Sequence, residues 1–190
     1  MDGLLSLFTA FGLSTSAGLN AYLPLLVVAL LARFTDLITL EPPWDAMQSW
    51  WTIGVLVILL LIEVLVDKIP AVDTVNDAIQ TFVRPVAGAI LFAAGSGAIG
   101  ETHPILTIIC GLIVAGGVHA VKATARPVVT GTTGGLLNPV VSVIEDVLSF
   151  VVAVLSILVP VLGILLLLLI VIWFIRRRYR RRERPTPARW

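Results

Sequence analysis

The chain has few charged side chains, a single cysteine and only two histidines among its 190 residues. Charged residues make up 13% of the sequence, whereas about a quarter is usual in soluble domains. Because Cys110 is the one thiol, an intramolecular disulfide is excluded. The hydrophobic share is 58% and the mean hydropathy is +1.02. These values exclude a soluble globular domain and indicate an integral membrane protein.

Motifs for catalysis and cofactor binding are also missing. The sequence has no H-E-x-x-H, P-loop, G-x-S-x-G or C-x-x-C pattern. Gly95–Gly100 matches G-x-G-x-x-G, but it ends an apolar segment instead of joining a strand to a helix. We therefore expect no enzymatic activity and no cofactor, while a metal site stays open.

Long apolar segments predict an all-α, polytopic transmembrane bundle across residues 1–175. A span needs about 20 apolar residues, and we assign six spans, at 4–31, 51–66, 85–100, 105–121, 139–159 and 160–175. The first is too long for one plain span and is interrupted at Ser14–Asn20, which predicts a broken first helix. Apolar residues three and four apart over about 71–83 predict an amphipathic interfacial helix, ended by Arg84 and Pro85.

The number of spans follows from the basic residues. Residues 139–175 are too long for one crossing and hold Pro160, so they form either one long span or two, giving five or six in all. With six, all but Arg33 of the thirteen basic residues fall on one side, as the positive-inside rule requires. We therefore predict six spans with both termini in the cytoplasm.

A basic tail, residues 176–190, follows the bundle. Seven arginines lie between Arg176 and Arg184, and such a run beside a membrane attracts anionic lipid headgroups. A nucleic-acid partner is not expected, since the run has neither interleaved aromatic residues nor a folded domain to present it.

Polar and charged residues gather at the predicted cytoplasmic ends of the spans. Asn138 and Pro139 predict a helix start, and Glu145 then lies about 10 Å along that helix. Charges at such depth either pair with one another or face a water-filled cavity. The candidate substrate-binding or ion-binding residues are Asn20, Glu63, Asp67, Arg84, His119, Lys122, Arg126, Thr133, Asn138, Glu145 and Asp146.

Two interpretations of this cluster remain open. In one, the charges form a structural ion-pair network, and Glu145 neutralises a cation such as Arg126 or Arg84. In the other, Glu145 faces a hydrated cavity as a proton or ion site. The adjacent carboxylate of Asp146 favours the cavity, because two neighbouring negative charges are easier to hydrate than to neutralise.

The first functional hypothesis is a transporter or channel for a small ion or polar solute. Six short spans enclose little volume, so we expect a homo-oligomer. The alternative is a structural or assembly protein that does not transport. It would pack against a partner through the small residues Ala89, Ala93 and Gly97 and hold anionic lipid with its tail.

Three segments carry a family resemblance. They are Ser14–Leu25, Arg84–Gly88 and Asn138–Asp146. In them the chain resembles a family of small bacterial integral membrane proteins defined by a domain of unknown function, number 4126. The resemblance covers nearly all of the chain before the arginine tail. It implies the inner membrane of a bacterium, and it carries over no substrate, cofactor or catalytic residue.

Overall fold

The structure is a computed structural model that describes residues 2–66, 70–97, 100, 102–158, 169, 170, 172, 173 and 176. Within these residues every regular element is a helix. The helices are α1 (Asp2–Leu19), α2 (Tyr22–Phe34), a short 3-10 helix (Trp44–Gln48), α3 (Trp50–Val66), α4 (Pro70–Gly95), α5 (Pro104–Thr133) and α6 (Asn138–Leu158). The all-α prediction is confirmed. Asp67, most of the predicted last span and nearly all of the tail lie outside the described residues.

Three helical stretches are long and apolar enough to cross a membrane. They are Ala78–Gly95 in α4, all of α5 and all of α6. The helices α1, α2 and α3 are also apolar but shorter. Together they identify a membrane-embedded protein.

The predicted break in the first apolar segment is confirmed at Asn20. Its Oδ1 accepts hydrogen bonds from the backbone N–H groups of Tyr22 at 3.1 Å and Leu23 at 2.9 Å. Ala21 already has helical dihedral angles, so Asn20 caps α2 in the usual N-cap manner. The Asn20 side chain thus provides the hydrogen-bond acceptor that the first N–H groups of α2 lack because the helix is interrupted.

After this break, α2 turns back along α1. At the start of α1, Ser6 lies against Gly97 and Ala10 against Gly95, at the end of α4. The loop after α2, Leu37–Leu40, and Leu5 of α1 line one cavity, so the two segments lie at the same end of the bundle. The chain therefore begins at the end of the bundle remote from Asn20. This differs from the single crossing on which a cytoplasmic N-terminus was predicted.

Helix α1 forms the centre of the bundle, because residues 12–18 are buried on every side. Hydroxyl groups join it to its neighbours. Ser16 Oγ donates to the Ser149 carbonyl at 2.7 Å and Ser149 Oγ to the Ser16 carbonyl at 3.0 Å. Ser14 Oγ donates to the carbonyl of Gly111 at 3.0 Å. Small hydroxyl residues let helix backbones approach closely without leaving a polar group unpaired.

Helices α1, α4 and α5 pack tightly against one another at glycines such as Gly88 and Gly111. A Cβ on Gly111 would lie 2.6 Å from Ala89 Cα and 2.8 Å from Phe92 Cβ. A Cβ on Gly88 would overlap Ala115 and lie 2.8 Å from Ser14 Oγ. Ala89 is thus covered by α5 of the same chain, and Ala93 is also buried. A partner protein cannot use these two alanines, as the assembly hypothesis had supposed.

Two expected boundaries do not occur. Helix α4 continues through Pro85, so the predicted amphipathic helix is the first half of α4. Helix α5 continues through Pro127 to Thr133, and the turn is confined to Gly134–Leu137. Membrane helices tolerate internal proline because neighbouring helices and local adjustments satisfy the freed carbonyl. The predicted helix start at Asn138 is confirmed.

We predict that Gly111→Ala destabilises the protein by about 1–3 kcal/mol, because the added methyl group overpacks the α4–α5 contact. Gly117→Ala in the same helix is the matched control, since nothing lies within 4 Å of its Cβ position. It should keep or slightly raise the melting temperature, as alanine favours helix. Thermal unfolding in detergent measures both. Equal melting temperatures for the two variants would contradict the packing described.

Candidate functional site

Most of the candidate residues meet in one layer near the α1–α2 break. We define the charged layer as Asn20, Glu63, Arg84, His119, Lys122, Arg126, Glu145 and Asp146. Helix α5 supplies three of its members at spacings of three and four residues, which places them on one helix face. The other members come from α3, α4, α6 and the break itself. The cationic members are at most 8% exposed.

On one side of the charged layer, Glu63 and Arg84 form a fully buried ion pair. Arg84 Nη2 donates to Glu63 Oε1 at 3.1 Å, and the two side chains are 0% and 1% exposed. Burying two charges is expensive, and removing one partner of such a pair costs more than the pair contributes. Each residue therefore depends on the other.

Arg84 also fixes the tautomer of His119. Its Nη1 lies 3.2 Å from His119 Nδ1, and His119 Nε2 lies 3.1 Å from Thr81 Oγ1. A guanidinium only donates hydrogen bonds, so Nδ1 must be the acceptor and the ring proton must be on Nε2. His119 is therefore neutral while this contact holds, and Nε2–H donates to Thr81.

On the other side, one carboxylate oxygen joins two cations. Glu145 Oε2 lies 2.8 Å from Lys122 Nζ and 3.2 Å from Arg126 Nη2. Lys122 Nζ also donates to the carbonyl of Leu19 at 3.1 Å. That carbonyl belongs to the last turn of α1, where carbonyls lack helical partners and attract a cation.

Asn20 connects the broken helix to α6. Its Nδ2 donates to Asp146 Oδ1 at 2.9 Å, while its Oδ1 caps α2. Both ends of the amide are therefore used. Asp146 in turn fixes which end of the amide faces the α2 backbone.

Two buried polar atoms beside the Glu63–Arg84 pair have no hydrogen-bond partner among the described residues. They are Arg84 Nε and Gln80 Oε1. Gln80 is 2% exposed and lies one helical turn before Arg84, and its side chain also interacts with the Tyr22 hydroxyl. Most buried polar groups in native structures are paired. Here, within the described part of the chain, Gln80 Oε1 lacks a hydrogen-bond donor and the Arg84 Nε–H group lacks an acceptor.

Sequence reasoning missed Gln80, Tyr22 and Thr81. Gln80 and Thr81 belong to the segment that was assigned to the interface, where polar residues are expected to be solvated. Their positions four and three residues before Arg84 were the available signal. Tyr22 follows the break directly, and nothing in its spacing distinguished it.

Two of the predicted site residues are not in the charged layer. Thr133 and Asn138 lie at the α5–α6 turn, where Asn138 Nδ2 donates to Thr130 Oγ1 at 3.0 Å. Each is seven residues from the nearest layer member in its helix, about 10 Å away. Asp67 falls outside the described residues. In the part of the chain that is described, no cluster of three or more His, Cys, Asp or Glu residues could hold a metal ion.

The environment of Glu145 matches the ion-pair interpretation. Its side chain is 13% exposed and contacts two cations, whereas the sequence favoured a hydrated carboxylate. The reason is that Asp146 is stabilised separately by Asn20. The two adjacent carboxylates thus do not compete for one partner.

We predict that Glu145→Gln destabilises the protein by about 3–5 kcal/mol, since it leaves Lys122 and Arg126 without their shared carboxylate. Glu41→Gln in an exposed loop is the control and should leave the melting temperature unchanged. Adding Lys122→Met to Glu145→Gln should recover part of the loss, because one buried cation fewer then needs a carboxylate. A Glu145→Gln variant as stable as the wild type would contradict the pairing.

The tautomer of His119 can be tested by nitrogen NMR of protein labelled at histidine. We expect a neutral ring protonated at Nε2. His103, which is exposed at the start of α5, is the internal reference as the second of the two histidines. Protonation of His119 at Nδ1 near neutral pH would show that Arg84 does not contact it.

Comparison with known proteins gives one match. The family described as "Domain of unknown function (DUF4126)" matches residues 7–180. Among curated proteins nothing matches significantly, and the same holds for solved structures. The match includes every residue of the charged layer and spans most of the 190 residues. The chain therefore belongs to the DUF4126 family.

Proposed function

We propose that the protein is a transporter or channel for a small ion or polar solute, and that the charged layer binds the solute. The observation that carries this proposal is the unpartnered pair of atoms, Arg84 Nε and Gln80 Oε1. One donates and the other accepts, and they lie one turn apart on α4. A polar guest that both accepts and donates hydrogen bonds would satisfy them together.

A purely structural network does not explain these two atoms. An unpaired buried polar group costs about 1–3 kcal/mol, and more when it is charged. An apolar side chain at position 80 would avoid that cost, and buried ion pairs are often replaceable by apolar residues without loss of stability. Ionisable residues at membrane depth commonly mark the path of an ion or solute.

The proposal includes an orientation. Arg84, Lys122 and Arg126 lie toward one end of the bundle, and the positive-inside rule assigns that end to the cytoplasm of a bacterial inner membrane. The arginine tail stays cytoplasmic in this arrangement and binds anionic lipid. Because α1 begins at the other end, Asp2 then faces the opposite side. We further propose that the functional unit is a homo-oligomer.

The second candidate is a structural or assembly protein. It is favoured by the compact contacts on the Glu145 side of the charged layer, where Lys122 has both a carboxylate and a carbonyl partner. These contacts hold α1, α5 and α6 together. In this case partners would meet surfaces other than Ala89 and Ala93.

Flux through proteoliposomes distinguishes the two candidates. We predict that Gln80→Leu lowers the flux of the transported solute about tenfold, which corresponds to about 1.4 kcal/mol for one lost hydrogen bond. Gln48→Leu, at the far end of the bundle, is the matched control. The probes are protons, sodium, potassium, chloride, phosphate, acetate, urea and glycerol.

Two results of the flux measurement would favour the structural candidate. If the wild type moves none of these probes, the transport proposal fails. A Gln80→Leu variant that gains stability and keeps the wild-type flux would show that Gln80 Oε1 destabilises the protein without contributing to transport. In both cases the charged layer would serve only to hold the helices together.

A further inference from the structure

A cavity of about 240 Å³ lies at the end of the bundle remote from the charged layer. Helix α1 lines it with Leu5, Ser6, Thr9 and Leu13, and the loop Leu37–Leu40 forms another wall. Val28 of α2 and the end of α4 complete it. Among the described lining side chains none is charged, and three of them, Ser6, Thr9 and Thr39, carry hydroxyl groups.

The loop wall carries backbone groups that water can pair with. In the part of the chain that is described, the backbone N–H groups of Ile38, Thr39 and Leu40 have no protein hydrogen-bond partner. Leu40 is 8% exposed, whereas Ile38 is half-buried and Thr39 is exposed. Buried backbone groups are almost always paired with protein or with water.

The position of the cavity gives water a route to it. Beside the loop, the Arg33 guanidinium lies 4.2 Å from the centre of the Trp50 ring, and Arg33 Nη1 donates to the Gln48 carbonyl at 2.7 Å. Tryptophan and arginine at a helix end are typical of the membrane–water interface. A cavity at this level therefore lies near the interface, where water can enter it.

We propose that this cavity is a water-filled vestibule that admits small uncharged polar solutes from the side opposite the charged layer. Its volume holds several water molecules. Leu13 forms part of its inner end, and Leu19, whose carbonyl binds Lys122, is six residues further along α1, about 9 Å away. The buried segment of α1 between them separates the vestibule from the charged layer. The admission of solute rests on the proposed transport function, whereas the hydration of the cavity does not.

Thiol labelling tests the hydration directly. In a Cys110→Ala background, Thr9→Cys should react with a charged, membrane-impermeant thiol reagent. Ala17→Cys, two turns further along α1 and fully buried, is the matched control and should stay unmodified. Asp45→Cys and Leu136→Cys report the two sides of the membrane, and Thr9→Cys should be labelled from the Asp45 side alone.

Two labelling results would contradict a water-filled vestibule. If Thr9→Cys reacts with the neutral reagent N-ethylmaleimide but not with the charged reagent, the cavity holds lipid and the proposal is overturned. Labelling from the Leu136 side would overturn it as well. Where the wild type shows flux, Thr9→Trp should abolish it and Leu4→Trp, on the exposed face of α1, should not. Unchanged flux in Thr9→Trp would reject the vestibule as the route, and flux absent from the wild type would reject only the transport function.

Discussion

A helix that is interrupted inside an apolar bundle leaves backbone groups that need partners, and this constraint explains much of the structure. The last turn of α1 exposes carbonyls, and the first turn of α2 exposes N–H groups. Lys122 binds the Leu19 carbonyl, and Asn20 caps the amides of α2. A buried lysine needs a carboxylate, which Glu145 supplies. Part of the charged layer therefore follows from one break in the chain.

The remaining part has no such origin. Among the described contacts, the Glu63–Arg84 ion pair satisfies no backbone group of the break, although both charges lie near Tyr22 in the first turn of α2. Yet this is the side where a guanidinium nitrogen and an amide oxygen lie buried with no partner among the described residues. The charged layer therefore has two differently built sides: the Glu145 side closes the helix break, and the Arg84 side holds a buried ion pair.

The sequence predicted the fold class, the break at Asn20 and most of the charged layer, because apolar length and isolated charges are strong signals in a membrane protein. It did not predict that α2 turns back along α1, since a break carries no information about the angle between its two halves. For Glu145 the sequence left both an ion pair and a hydrated cavity open and favoured the cavity, whereas the structure shows the ion pair. Pairing depends on which helices are neighbours, and that is decided by contacts such as Gly88 with Gly111, which hydropathy does not report. Gln80 was assigned to the interface for the same reason.

Each arginine contributed by the long helices α4 and α5 is followed directly by proline, at Pro85 and Pro127. Proline has no N–H, so each helix lacks one hydrogen bond of its ladder beside a buried guanidinium. Bending a helix costs least where its ladder is incomplete. The two helices are therefore most compliant at the points where their charges are held. Bending at these prolines would therefore move Arg84 and Arg126 relative to their partners.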